Sequence, residues 1–257
     1  MPLNEQWIAF CTLLFKEIRR FTRIWIQTLL PPAITMALYF VIFGHLIGNQ
    51  IGSMSGVSYS QFVAPGLIMM AVITNSYANV SASFFSAKFQ RSVDEILVSP
   101  TPNYIIVLGY VMGGVARGLA VGLIVTLLAL MFTHLTISHI FITISVIFLT
   151  ATVFSLAGFI NAVYAKSFDD ISIIPTFVLT PLTYLGGVFY SISLLSDFWQ
   201  NVSLFNPILH MVNAFRYGIL GTTDTSLLMA CAFLIGGVAI LFWLSLVVVE
   251  RAKGLRS

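Results

Sequence analysis

Three clusters of polar residues interrupt an otherwise apolar chain, and each has a spacing suited to binding rather than bond cleavage. The first lies in KFQRSVDEILVSPTP, residues 88–102. On a helix, Gln90, Arg91, Asp94 and Glu95 project from one side, while Phe85, Phe89, Val93, Ile96 and Leu97 fall on the other. Mixed charge over an apolar base suits docking to a soluble partner, and equally suits an ordinary loop between spans. Ser99-Pro100 and Thr101-Pro102 end it, because a residue before proline avoids helical geometry. The second cluster is Asn75, Asn79 and Ser83, which recur every four residues and share a helical face. Such a face either hydrogen-bonds neighbouring helices or lines a polar path. The third occupies 191–226, where Asn206-Pro207 separates apolar pieces too short to span and Arg216 follows. Apolar pieces of that length fit re-entrant or interfacial helices, which either cap a pathway exit or seal the bundle.

Catalytic patterns are missing. There is no GxxxxGK[ST] phosphate loop, no GxSxG elbow and no zinc or dinucleotide fingerprint. His45, His134, His139 and His210 show no paired-ligand spacing, so no metal site is expected. Cys11 and Cys231 are too far apart in the pattern to suggest a disulfide. All nine acidic residues are expected in loops, flanks or span ends. That argues against a proton-driven carrier, which needs acidic groups deep in the membrane.

The elements that must hold these clusters follow from composition. Of 257 residues, 58% are hydrophobic and 8% charged, with a mean hydropathy of +0.98. A soluble domain carries about 25% charged residues, so hydrocarbon is the solvent that suits this chain. Continuous apolar runs of about 20 residues are membrane helices, because only helices and closed barrels satisfy their backbone groups in lipid. Six runs qualify: 24–47, 61–86, 104–132, 140–164, 171–190 and 227–249. The fold expected is an all-α integral membrane bundle forming a single transmembrane domain over 1–257. It comprises an interfacial helix over 1–23, the six-helix bundle over 24–249 and a cytoplasmic tail over 250–257.

The N-terminal helix is amphipathic, with Leu3, Trp7, Phe10, Leu14, Ile18 and Phe21 at spacings of three or four. Its basic groups, Lys16, Arg19, Arg20 and Arg23, face anionic lipid in this reading. Pro31 and Pro32 predict a bend near the inner end of the first span. Arg117 falls inside the third span, so it has a polar partner or that span begins later. Gly109, Gly113, Gly114, Gly118 and Gly122 permit close helix approach.

Orientation comes from the basic residues. With both termini in the cytoplasm, Lys16, Arg19, Arg20, Arg23, Lys88, Arg91, Lys166, Arg251, Lys253 and Arg256 all lie inside, ten of the twelve. Arg216 alone lies in an outer loop. The net charge of +3 thus reflects membrane orientation, and no nucleic-acid partner is implied.

The segments PGLIMMAVITNSYANVSASFF (65–85), DEILVSPTP (94–102), AKSFDDISIIPTFVLTPLTYLGGVFYSISLLSDFW (165–199) and NPILHMVNAFRYGILG (206–221) together resemble the ABC-2 type permeases. That family includes daunorubicin-resistance, nodulation-factor and capsule-polysaccharide export subunits. The resemblance implies a six-helix permease of the bacterial inner membrane that pairs with itself as a homodimer. It implies two copies of a separate ATPase subunit, which bind the ATP and Mg; this chain is then expected to bind no cofactor and to have no catalytic site. It further implies that Gln90 to Leu97 form a coupling helix seated in the ATPase, and that 206–221 form outer re-entrant helices. The cargo expected is amphipathic, lipid-like or glycan. The rival reading is an ion-coupled transporter or channel.

Overall fold

The computed structural model describes residues 1–254, without the side chains of His45, Asn49 and 252–254; residues 255–257, Arg256 among them, lie outside the described residues. Helix α1 spans Leu3–Arg23. It is followed by α2 (Trp25–Thr28), α3 (Leu30–Tyr39), a π-helical stretch Phe40–Ile47 and α4 (Gly48–Ile51). Strands β1 (Ser53–Met54) and β2 (Val57–Ser58) pair antiparallel. Ser55 and Gly56 both have positive φ, as a two-residue primed turn requires. Then come α5 (Tyr59–Phe89), α6 (Ser92–Val98), α7 (Asn103–Phe132) and α8 (Ile140–Tyr164). The remainder comprises α9 (Asp170–Ile174), α10 (Thr180–Tyr184), α11 (Asp197–Leu204), α12 (Pro207–Leu220) and α13 (Leu227–Gly254).

Helix α5 is the axis. It is buried along most of its length and packs along α7 and α8, with α12 across the half that begins at Tyr59. Its start is fixed by a capping box: Ser58 Oγ accepts from the Gln61 backbone N–H, and Gln61 Oε1 accepts from the Ser58 N–H. Lipid-facing residues of the other long helices, such as Leu123, Met131, Phe141 and Trp243, are exposed. Water would make such a surface costly, whereas acyl chains cover it without penalty.

Among the described residues, five helical segments are long and apolar enough to cross a membrane: Trp25–Gly44, Tyr59–Phe89, Asn103–Phe132, Ile140–Tyr164 and Leu227–Arg251. The run at 171–190, read as a sixth crossing, is different. It is three five-residue pieces, α9, a π-helical Pro175–Leu179 and α10, and then turns at Gly186 and Gly187. Its helix is therefore shorter than the other five, yet the segment still runs the length of α5, from Phe168 packed on Phe85 to the Phe189 carbonyl that accepts from the Tyr59 hydroxyl. Pro175 and Pro181 widen its hydrogen bonding, and Gly187 at φ +67° ends it. Of the segment 250–257 read as a tail, α13 includes the residues to Gly254, and 255–257 lie outside the described residues.

The prolines explain two long-range contacts. Pro32 has no N–H, so the Thr28 carbonyl four residues earlier loses its helical donor. Arg117 Nη2 donates to that carbonyl at 3.1 Å. Pro175 likewise frees the Ile171 carbonyl, and Asn161 Nδ2 donates to it at 3.3 Å. In each case a side chain on a neighbouring helix replaces the missing backbone donor.

Glycines of α7 set how close α1 can come. A methyl on Gly109 would strike Leu13, and one on Gly113 would strike Glu17. Leu13, Glu17 and Phe21 are the buried face of α1. Trp7 and Phe15 instead remain exposed. The face that packs on protein is therefore rotated from the apolar stripe read in the sequence.

Candidate functional site

Two linked regions carry the polar groups. The first is the elbow between α5 and α7. Helix α5 ends at Phe89, and the chain reverses through Gln90 and Arg91, with Arg91 at φ +60°. This break separates Phe85 and Phe89 from the short α6, so the continuous amphipathic face expected across 85–97 is two faces instead. Val93 and Leu97 are buried and root α6 on the bundle. Gln90, Arg91 and Glu95 are exposed, as are Phe89 and Val98, while Asp94 is half-buried.

The elbow is tied to the α8–α9 turn. Lys88 Nζ donates to the Val163 and Ala165 carbonyls at 2.6 and 2.7 Å, capping the end of α8. Phe168 packs edge-on against Phe85 at 4.8 Å and against Phe89 at 5.3 Å. Asp170 Oδ2 accepts from the Lys166 and Ser167 backbone N–H groups at 2.7 and 3.1 Å. Those donors, that of Lys166 first, hold the Asp170 carboxyl below its ordinary pKa. The elbow and this turn thus form one firm surface of mixed charge and exposed aromatic rings.

The second region lies one helix deeper. Ser83 Oγ donates to Glu17 Oε1 at 2.8 Å, and Arg20 Nε donates to Glu17 Oε2 at 3.3 Å. Arg20 Nη2 also donates to Asn79 Oδ1 at 2.8 Å and to the Asn79 carbonyl at 3.1 Å. Arg117 Nη2 donates to Asn75 Oδ1 at 3.2 Å besides Thr28. Asn75, Asn79 and Ser83 are buried. Within this chain they face α1 and α7, where they meet the Glu17–Arg20 ion pair and a second arginine, Arg117. Arg117 therefore has polar partners, and the third span does begin at Asn103.

Sequence reasoning overlooked Glu17 and Arg20 as members of this cluster. A glutamate on a basic amphipathic helix reads as solvated. The signal was a matched spacing: Leu13 and Glu17 on α1 are four apart, as are Gly109 and Gly113 on α7.

At the opposite end, Asn206 Oδ1 accepts from the Ile208 N–H at 3.0 Å, capping α12, whose first residue is Pro207. Asn206 Nδ2 donates to the Leu182 carbonyl at 2.6 Å, tying α12 to α10. Arg216, read as the one basic residue of the outer re-entrant region, is 1% exposed. It donates to the Phe62 carbonyl at 3.3 Å, Asn213 Oδ1 at 2.8 Å and the Gly187 carbonyl at 2.7 Å. Its guanidinium lies 3.9 Å from the centre of the Phe62 ring. His210 is buried, with Nε2 2.8 Å from the Leu204 carbonyl.

The arrangement sets an exposed elbow of mixed charge beside a buried polar cluster that joins α1, α5 and α7. The chain is 55% identical over 255 residues to the inner membrane transport permease YadH of Escherichia coli K12, covering 99% of this chain and 100% of that one. It is 23% identical over 185 residues to nodulation protein J of Rhizobium leguminosarum bv. viciae, covering 72% and 71% of the two chains. Residues 8–220, from within α1 to the end of α12, match the ABC-2 type transporter family. With that much of its length matched, the chain belongs to the ABC-2 type transporter family.

Proposed function

We propose that this chain is the membrane-spanning subunit of an ATP-driven exporter, works as a homodimer in the bacterial inner membrane, and borrows its ATPase as two copies of a separate polypeptide. Both termini, α1 and α6 lie on the cytoplasmic side, and α11 and α12 lie in the outer leaflet. The observation that carries this reading is the elbow. A short helix rooted by Val93 and Leu97 presents Gln90, Arg91 and Glu95 outward, with Asp94 beside them. ATP and Mg belong to the partner, whose closure would push α6 and thereby α5 and α7. Such a push shifts the permease only through contacts that differ between its two states. The cargo class is amphipathic, lipid-like or glycan, and YadH and nodulation protein J are relatives named for transport and nodulation.

The test is co-purification with an ATPase subunit and vanadate-sensitive hydrolysis in the complex. Reversing Asp94 and Glu95 to lysine is expected to abolish both the complex and transport. Intact complex formation and transport in that variant would end the assignment.

Arg91 offers a sharper control, because its left-handed backbone and its charge can be separated. Left-handed geometry costs an L-residue about 1–2 kcal/mol, and glycine escapes that cost. Arg91→Gly is expected to keep or raise the thermal midpoint while weakening ATPase binding. Arg91→Val is expected to lower both, since a β-branched residue strains the elbow.

One observation favours the rival, an ion-coupled carrier: Glu17 is a buried carboxylate. It is, however, held by Arg20 and Ser83. Transport that survives ATP depletion and collapses with the proton gradient would select the rival.

A further inference from the structure

We propose that the outward face of α1 is a discrete binding groove for the phosphate headgroup of an anionic phospholipid of the cytoplasmic leaflet. Lys16, Arg19, Arg20 and Arg23 stand at i, i+3, i+4 and i+7, so they form one stripe. They line a groove of about 720 Å³ together with Phe15 and Ile24. That volume is within the range of small-ligand sites, roughly 300–1,000 Å³. The inner members are already held: Arg20 by Glu17 and Asn79, and Lys16 by the Tyr110 hydroxyl at 3.5 Å. Arg19 and Arg23 are exposed and make no hydrogen bond or ion pair among the described residues.

Two free guanidiniums beside two fixed cations call for an anion with several acceptor oxygens, which a phosphate supplies. The flanking surface selects its source. Phe15, Ile24, Trp25 and Ile26 are exposed beside the cations, and Trp25 and Ile26 line the adjoining groove with Arg23. A free phosphate has nothing to lay on those residues, whereas acyl chains do. The inference rests on the orientation proposed above, which puts α1 at the inner leaflet, and is independent of the ATPase assignment.

The full chain, purified in neutral detergent, is offered phosphatidylglycerol or phosphatidylcholine of matched acyl length, and retained lipid is counted by native mass spectrometry. Phosphatidylglycerol is expected to be retained at least about tenfold better. Each basic group near an anionic headgroup contributes about fivefold in affinity, so Arg19→Gln with Arg23→Gln should cost about 25-fold. Both side chains are unpartnered, so the thermal midpoint should hold, and the matching Lys double variant should restore most binding. Arg251→Gln, a basic residue at the end of α13, should change nothing. Equal retention of the two lipids, retention unaffected by the double variant, or displacement by inorganic phosphate alone would overturn the proposal. So would exclusion of the lipid by an added ATPase subunit, which would make that partner the occupant. Because ATPase co-purification is scored separately on the same variants, losing the lipid site leaves the transporter assignment standing.

Discussion

Glu17→Ala is expected to loosen α1 from the bundle and lower the stability of the purified chain by roughly 2–3 kcal/mol. Breaking a buried ion pair costs about 3–5 kcal/mol. The lower figure applies because Arg20 is 30% exposed, and water softens the loss of its partner. The substitution strands the Ser83 hydroxyl and leaves Arg20 with only Asn79. Glu17→Gln keeps an acceptor for Ser83 and should cost less. Gly113→Ala reaches the same loosened state from the other side, because its methyl would occupy the seat of Glu17. The two changes act on one contact, so combining them should cost clearly less than their sum. Thermal unfolding in detergent and protease cleavage within α1 are the readouts. Strict additivity, or an unchanged midpoint in Glu17→Ala, would show that this contact does not hold α1. In the ATP-driven exporter proposed above, Glu17→Ala is expected to leave ATP hydrolysis running while transport falls, because α1 would no longer move with α5.

Hydropathy revealed the long crossings because each is a continuous apolar run, and apolarity over about 20 residues is what lipid selects. It could not distinguish the run at 171–190. That run is equally greasy, yet its middle is π-helical from Pro175 and its helix ends at Tyr184, before the turn at Gly187. Proline positions were legible as breaks, but the donors that repair them, Arg117 and Asn161, come from other helices. Such pairings are set by tertiary packing and leave no local pattern. The Asn75, Asn79 and Ser83 face was legible by period. What it touches was not, since a hydrogen-bonding face reads the same whether it meets a helix or a cavity. The elbow was legible as a place, whereas its geometry turns on one residue, Arg91, in a left-handed backbone that sequence offers no reason to expect.

Arg216→Met should be about as destabilising as any single substitution in the chain, at roughly 3–5 kcal/mol. No carboxylate lies within ion-pair distance of Arg216 among the described residues. Its charge is met instead by three oxygens from three places: Phe62 on α5, Gly187 in the turn after α10, and Asn213 on α12. The guanidinium therefore fastens the broken element and α12 to the central helix. Methionine fills the space but donates nothing, so two buried carbonyls and an amide oxygen lose their partner together. Arg216→Lys keeps the charge but lacks the planar fork and the stacking on Phe62, so it should recover less than half of the loss. Phe62→Leu removes only the ring beneath the cation and should cost about 1 kcal/mol from that contact, plus any repacking. Lysine rescuing fully would mean that charge alone matters at this site. An unaffected Arg216→Met would mean that apolar packing holds the outer elements without help. The intermediate ranking, methionine worst and lysine poor, is what a donor serving three separated acceptors demands, because only the guanidinium carries enough N–H groups in fixed directions to reach all of them at once.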